Sequence, residues 1–229
     1  MKHKFNTNLK IENFEINQAS KPFVVAEISA NHNGDIEKAK ELIFAAKEAG
    51  ADAVKIQTYT PDTMTLDHQA DDFKIVGGLW DGYTLYELYK EAHTPFEWHE
   101  DLFEYARSIN ITIFSSPFDE TAVDLLNDLD APAYKIASFE VTDLPLIEYV
   151  ALQKKPIIVS TGMANEEEIS QCLETIASTG NNDVILLHCV SGYPTPYDQY
   201  NIKTIQLLSE KFSVPVGISD HTLGTEVSV

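Results

Sequence analysis

AYKIAS at residues 133–138 and PIIVSTG at residues 156–162 decide how this chain reads. Each is a short apolar run that closes on polar chemistry: Lys135 and Ser138 in one, Ser160 and Thr161 in the other. Near-continuous apolarity suits a strand buried on both faces, as in a parallel sheet. Five more runs share this form: FVVAEI from Phe23, DAVKIQT from Asp52, ITIFSSP from Ile111, VILLHCV from Val184 and VPVGISD from Val214. Helical patterns separate them at residues 35–50, 119–129 and 165–178, each opening on an Asp or Asn suited to an N-cap. This alternation predicts a parallel α/β architecture with right-handed crossovers.

Seven such units predict a (β/α)8 TIM barrel that lacks its last strand and helix, with a doubly wound sheet as the runner-up. The positions of the polar residues favour the barrel. Glu27, Lys55 with Gln57, Ser115 with Ser116, Lys135 with Ser138, Ser160, His188 with Ser191, and Ser219 with His221 all stand at the C-terminal ends of apolar runs. In a barrel those ends surround one mouth, where active sites of this fold are built. Residues 1–20 read as an N-terminal hairpin or extension covering the bottom of the barrel, and residues 21–229 as the incomplete barrel itself. An insertion at residues 61–99 carries Trp80, Tyr83, Tyr86, Tyr89, Phe96 and Trp98, expected mostly to pack, and a GGLW stretch that suits a flap.

Composition narrows the partners. The 229 residues hold 36 acidic against 16 basic side chains, a net charge of −20, which argues against nucleic acid and anionic membrane. An anionic substrate therefore needs specific lysines to set a local positive field. Cys172 and Cys189 fit neither a disulfide framework nor a zinc spacing, so a reducing cytoplasm is expected. The N-terminus lacks the apolar core of a signal peptide, and no apolar run is long enough to span a membrane.

Two lysines and several hydroxyls at one mouth suit a phosphate or carboxylate. Glu27 and Glu140 are candidate acids, bases or water-positioning groups. Each has a plainer reading. The lysines suit ion pairs with Glu27 or Glu140, the hydroxyls suit helix N-caps, His188 suits a hydrogen-bonded core residue, and His32 in NHNG suits a local turn.

Taken together, AEISANHNG, KIQTYTPDTMT, FSSPFD, YKIAS, VSTGM, YPTP and SDHT, in this order and spacing, resemble the sialic acid synthase family from about Lys21 onward. The insertion is most similar to the branch that makes pseudaminic acid. The resemblance implies condensation of phosphoenolpyruvate with the open-chain aldehyde of 2,4-diacetamido-2,4,6-trideoxy-altrose, with release of phosphate. It implies phosphoenolpyruvate binding by Lys135, Ser138, Ser160, Ser191, Ser219 and Ser116. Lys55, Gln57, Phe118 and Tyr193 would line the rest of the pocket, with Glu27 and Glu140 as active-site carboxylates. His221 would hold a divalent metal, typically manganese, with a second histidine from a motif resembling EKHF on the last strand.

Ser191 departs from the asparagine of the sialic acid branch. The family continues into a small antifreeze-like domain that reaches a partner subunit, implying a homodimer at full length. A chain ending here is accordingly expected to bind metal poorly, to be poorly stable and to be largely inactive alone. The alternatives are an N-acetylneuraminate or legionaminate synthase, a Schiff-base aldolase using Lys135 or Lys55, and an inactive fragment.

Overall fold

The computed structural model describes residues 4–77 and 80–229; Gly78 and Leu79 of the expected flap lie outside the described residues. Contacts divide the chain into two compact units, Phe23–Ala131 and Met1–Pro22 with Pro132–Val229. The chain opens on an antiparallel hairpin of β1 (Leu9–Ile11) and β2 (Phe14–Ile16), which belongs to the second of these.

In the Phe23–Ala131 unit, β3 (Val25–Glu27), β4 (Ala53–Thr58) and β5 (Thr112–Pro117) lie parallel in sequential order. The register sets Glu27 beside Lys55 and Gln57 beside Ser116. Every residue of β5 is buried, as its near-continuous apolar reading requires. Helix α1 (Ile36–Glu48) starts where the Asp35 carboxylate accepts from Glu37 N–H at 2.9 Å. It stops at Gly50, whose φ of 90° suits a residue without a side chain.

The insertion contributes α2 (Pro61–Met64) and α3 (Leu85–Ala92), α4 (His99–Ser108) follows it, and β5 is followed by α5 (Glu120–Asp128). Asp119 caps α5 through Ala122 N–H at 3.1 Å. Not all of the insertion's aromatics pack. Tyr89 sits edge-on to Tyr59, and Trp98 to His32, but Trp80 and Tyr83 remain 46% and 40% exposed. Both lie before α3, outside any helix, where Ile75 N–H donates to Tyr83 O at 2.8 Å.

In the other unit, β6 (Tyr134–Ile136), β7 (Ile157–Ser160), β8 (Val184–Cys189) and β9 (Val216–Ser219) are again parallel and sequential. Order within each unit never reverses, as it would at the switch point of a doubly wound sheet. Helices α6 (Leu144–Leu152), α7 (Glu166–Ser178) and α8 (Thr204–Phe212) alternate with the strands. Helix α7 buries Ile169, Cys172, Leu173, Ile176 and Ala177, the spacing of a single helical face. Asn165 and Glu168 close its first turn as a capping box. The N-terminal segment is fastened beside the start of β8, where Asn6 N–H donates to Asn182 O at 2.9 Å and its amide to Asp183 at 2.8 Å.

Candidate active site

The strand ends of the second unit build a compact polar cradle. Lys135 and Ser160 lie on neighbouring strands. Lys135 pairs with Ile158 in register, and Ser160, two residues on, shares that face. Lys135 is 6% exposed, and its ammonium donates to Ser160 Oγ at 2.7 Å and to Ile136 O at 3.0 Å.

Gly162 follows β7 and gives the cradle its floor. A Cβ placed there would lie 2.6 Å from Ser191 Oγ, 2.9 Å from Ser138 Oγ and 3.1 Å from Cys189 Sγ, so only glycine lets these groups crowd one point. Gly162 N–H donates to Ser138 Oγ at 3.2 Å, and Ser191 Oγ is buried with no hydrogen-bond partner. An unpaired buried hydroxyl is costly unless something binds it. The helix-cap reading of these hydroxyls fails: α6 and α7 are capped by Asp143 and Asn165, leaving the strand-end serines to other work.

His221 stands one residue beyond Asp220 at the end of β9. Its Nδ1 lies 2.9 Å from Val190 O, which fixes the proton on Nδ1, and its Nε2 is 3.5 Å from Ser219 Oγ. The Tyr193 ring covers it, with centroids 4.3 Å apart. Contact with Cys189, 3.8 Å away, is the main influence raising the imidazole pKa, opposed by burial. Burial pushes the Cys189 thiol up, but His221, Ser138 and Lys135 bring it below its ordinary value.

Glu140 lies in the turn after Ser138. Burial raises its carboxyl pKa, opposed by its own N–H and by Lys135, and Oε2 is buried without a hydrogen-bond partner. Such a carboxyl is suited to carrying a proton. His188 is the core residue its sequence suggested, with Nε2 2.6 Å from Tyr200 O.

The Phe23–Ala131 unit holds a second cluster. Lys55 pairs with Glu27 and lies 3.4 Å from Ser116 Oγ. Crowding raises the Glu27 carboxyl pKa, but Lys55 and Ser29 outweigh it and hold the group below the ordinary range; half of the side chain stays open to solvent, which screens the pair. Phe118 packs edge-on to Tyr59, with centroids 5.5 Å apart. His32 serves its turn, accepting from Gly34 N–H at 3.1 Å.

Sequence reasoning missed a buried chain beneath this cluster. His99 Nε2 is 2.8 Å from Thr58 Oγ1, which is 2.6 Å from Ser115 Oγ. His99 Nδ1 faces Pro95 O at 3.0 Å and so carries a proton, while burial lowers the ring's pKa to about 4 and favours the neutral form. Gly162 and Cys189 were also missed as site residues. Gly162 was visible inside VSTGM, whereas Cys189 was read only for redox chemistry.

These features define an α/β protein with the fold of the (β/α)8 barrel, seven parallel strands of which are described, and a polar cradle at strand ends. Residues 42–229 match the NeuB family, and the chain belongs to it. It is 51% identical over 216 residues to the pseudaminic acid synthase of Campylobacter jejuni, covering 94% of this chain and 62% of that protein. With the pseudaminic acid synthase of Helicobacter pylori it shares 51% over 204 residues, covering 89% of this chain and 60% of that protein. A crystal structure of N-acetylneuraminic acid synthetase from Leptospira borgpetersenii, in complex with citrate, superposes with a TM-score of 0.86 at 29% identity, covering 98% of this chain and 74% of that one. The chain thus spans about three fifths of the curated relatives.

The metal expected at His221 finds an incomplete site here. Among the described residues no three His, Cys, Asp or Glu side chains converge. One imidazole does not fit a divalent ion, which needs several donors. No helix among the described residues is long and apolar enough to cross a membrane.

Proposed function

We propose that the protein is a phosphoenolpyruvate-dependent nonulosonic acid synthase, and that its acceptor is 2,4-diacetamido-2,4,6-trideoxy-altrose, giving pseudaminic acid and phosphate. The cradle carries this reading. Ser138 and Ser191 crowd around Gly162, the Ser191 hydroxyl is buried unpaired, and Lys135 and Ser160 meet at the neighbouring strand ends, a donor set suited to a phosphate ester. The pseudaminic acid synthases at 51% identity support the choice of branch.

In the proposed reaction, C3 of phosphoenolpyruvate attacks the acceptor's aldehyde carbon and forms the new C–C bond, while the aldehyde oxygen takes up a proton. Water adds at C2 and gives up two protons as the C2 carbonyl forms: one balances the proton taken up by the aldehyde oxygen, and the other leaves with phosphate when the C2–O bond breaks. Lys135 neutralises phosphate charge while Ser138, Ser160, Ser191 and Ser219 donate to it. Glu140, kept protonated more readily by burial, exchanges the proton. Tyr193 covers His221 and borders the acceptor. In the same proposal Ser116, Lys55, Gln57 and Phe118 of the other unit bind substrate and Glu27 positions water.

Manganese with His221 as one ligand, a homodimer and a cytoplasmic location belong to the same proposal for the protein at its relatives' length. Manganese titration of that protein and its His221→Ala variant by calorimetry tests the metal. Phosphate release tests the function, comparing the altrose derivative with N-acetylmannosamine. Release with the altrose derivative alone is expected; release with N-acetylmannosamine alone overturns the choice of acceptor.

A further inference from the structure

We propose that Cys189 is a positioning residue for the phosphate cradle, its sulfur pinning the Ser138 hydroxyl and the His221 imidazole in place before substrate arrives. This rests on the phosphoenolpyruvate reading above and goes beyond it. Cys189 closes β8, is 4% exposed, and lies between the two groups: Ser138 Oγ donates to its sulfur at 3.6 Å, and His221 Nδ1 is 3.8 Å away. The Ser138 oxygen is thereby fixed from two sides, giving its proton to sulfur and taking the Gly162 N–H at 3.2 Å.

The choice of sulfur matters. A thiol is a weak acceptor, so the hydroxyl is aimed yet gives up little when its proton turns to a phosphate oxygen. A site ordered in advance loses less freedom on binding. His221 gains a second contact to the ring nitrogen that already faces Val190 O, leaving Nε2 toward the site.

Calorimetric titration of phosphoenolpyruvate into the protein at its relatives' length, wild type and variants, tests this. Cys189→Ala is expected to weaken binding roughly fivefold, the worth of one modest hydrogen bond. Cys189→Ser, which restores an acceptor, should recover part of the loss. In a Ser138→Ala background the alanine substitution should change affinity little, because its partner is gone. An unchanged affinity in Cys189→Ala, an equal loss in the Ser138→Ala background, or no recovery with serine would each overturn the inference. Failure of the wild type to bind phosphoenolpyruvate would instead overturn the functional reading, and the inference with it.

Discussion

The Lys135 ammonium meets Ser160 Oγ at 2.7 Å across two neighbouring parallel strands, with only 6% of the lysine exposed. A cation this buried is costly to hold without acceptors, and in a chain of net charge −20 it places positive charge beside the cradle hydroxyls.

Replacing that charge should therefore abolish anion capture rather than only slow turnover. Lys135→Met keeps most of the side-chain volume and is expected to weaken phosphoenolpyruvate binding about 100-fold or more, the cost of charge-assisted bonds to phosphate. Calorimetry on wild type and variant measures it, and tight binding by the variant would contradict the assignment.

Glu140 separates binding from chemistry. Its carboxyl has a raised pKa and a buried oxygen without a hydrogen-bond partner, so Glu140→Gln should preserve the shape of the turn. With the proton carrier lost, kcat is expected to fall about 10²- to 10³-fold while KM for phosphoenolpyruvate stays within severalfold. Steady-state kinetics reads both, and an unchanged kcat would remove Glu140 from the reaction.

His99 makes stability fall with acid. Burial is the main cause that lowers its pKa from 6.5 to about 4, and the Thr58–Ser115 chain needs it neutral. The folded state binds fewer protons between those values, so this contribution is full above pH 6.5 and is lost as pH falls through 4. The shift corresponds to roughly 3 kcal/mol. Urea unfolding at pH 7, 5 and 4 should show the decline, and His99→Gln should flatten it.

The two cysteines should react unequally. Cys172 is fully buried in α7, and burial pushes its thiol up to about 12, whereas Cys189 lies in the cradle with a lowered pKa. A small thiol reagent should modify Cys189 first, and inorganic phosphate should slow it. Peptide mass mapping measures the order; faster reaction at Cys172 would contradict this placement.

The strands were legible because each lies in a short, mostly apolar run with polar residues at or near its C-terminal end, and all seven fall inside the runs quoted from the sequence. The caps Asp35, Asp119 and Asn165 were legible for the same local reason. The insertion was not. Aromatic spacing cannot tell a packed ring such as Tyr89 from an exposed one such as Trp80, because tertiary contacts decide it. The Gly162 crowding and the Cys189 contacts were hidden too, since together they join residues from four strand ends far apart in sequence.

The most direct measurement is the fate of an ¹⁸O label in the bridging oxygen of phosphoenolpyruvate, followed by mass spectrometry with the altrose-derived acceptor and the protein at its relatives' length. Attack of water at C2 predicts that the label leaves in inorganic phosphate. Label retained at the C2 carbonyl of the sugar product would mean that the P–O bond breaks, contradicting the synthase account and favouring aldol chemistry through pyruvate.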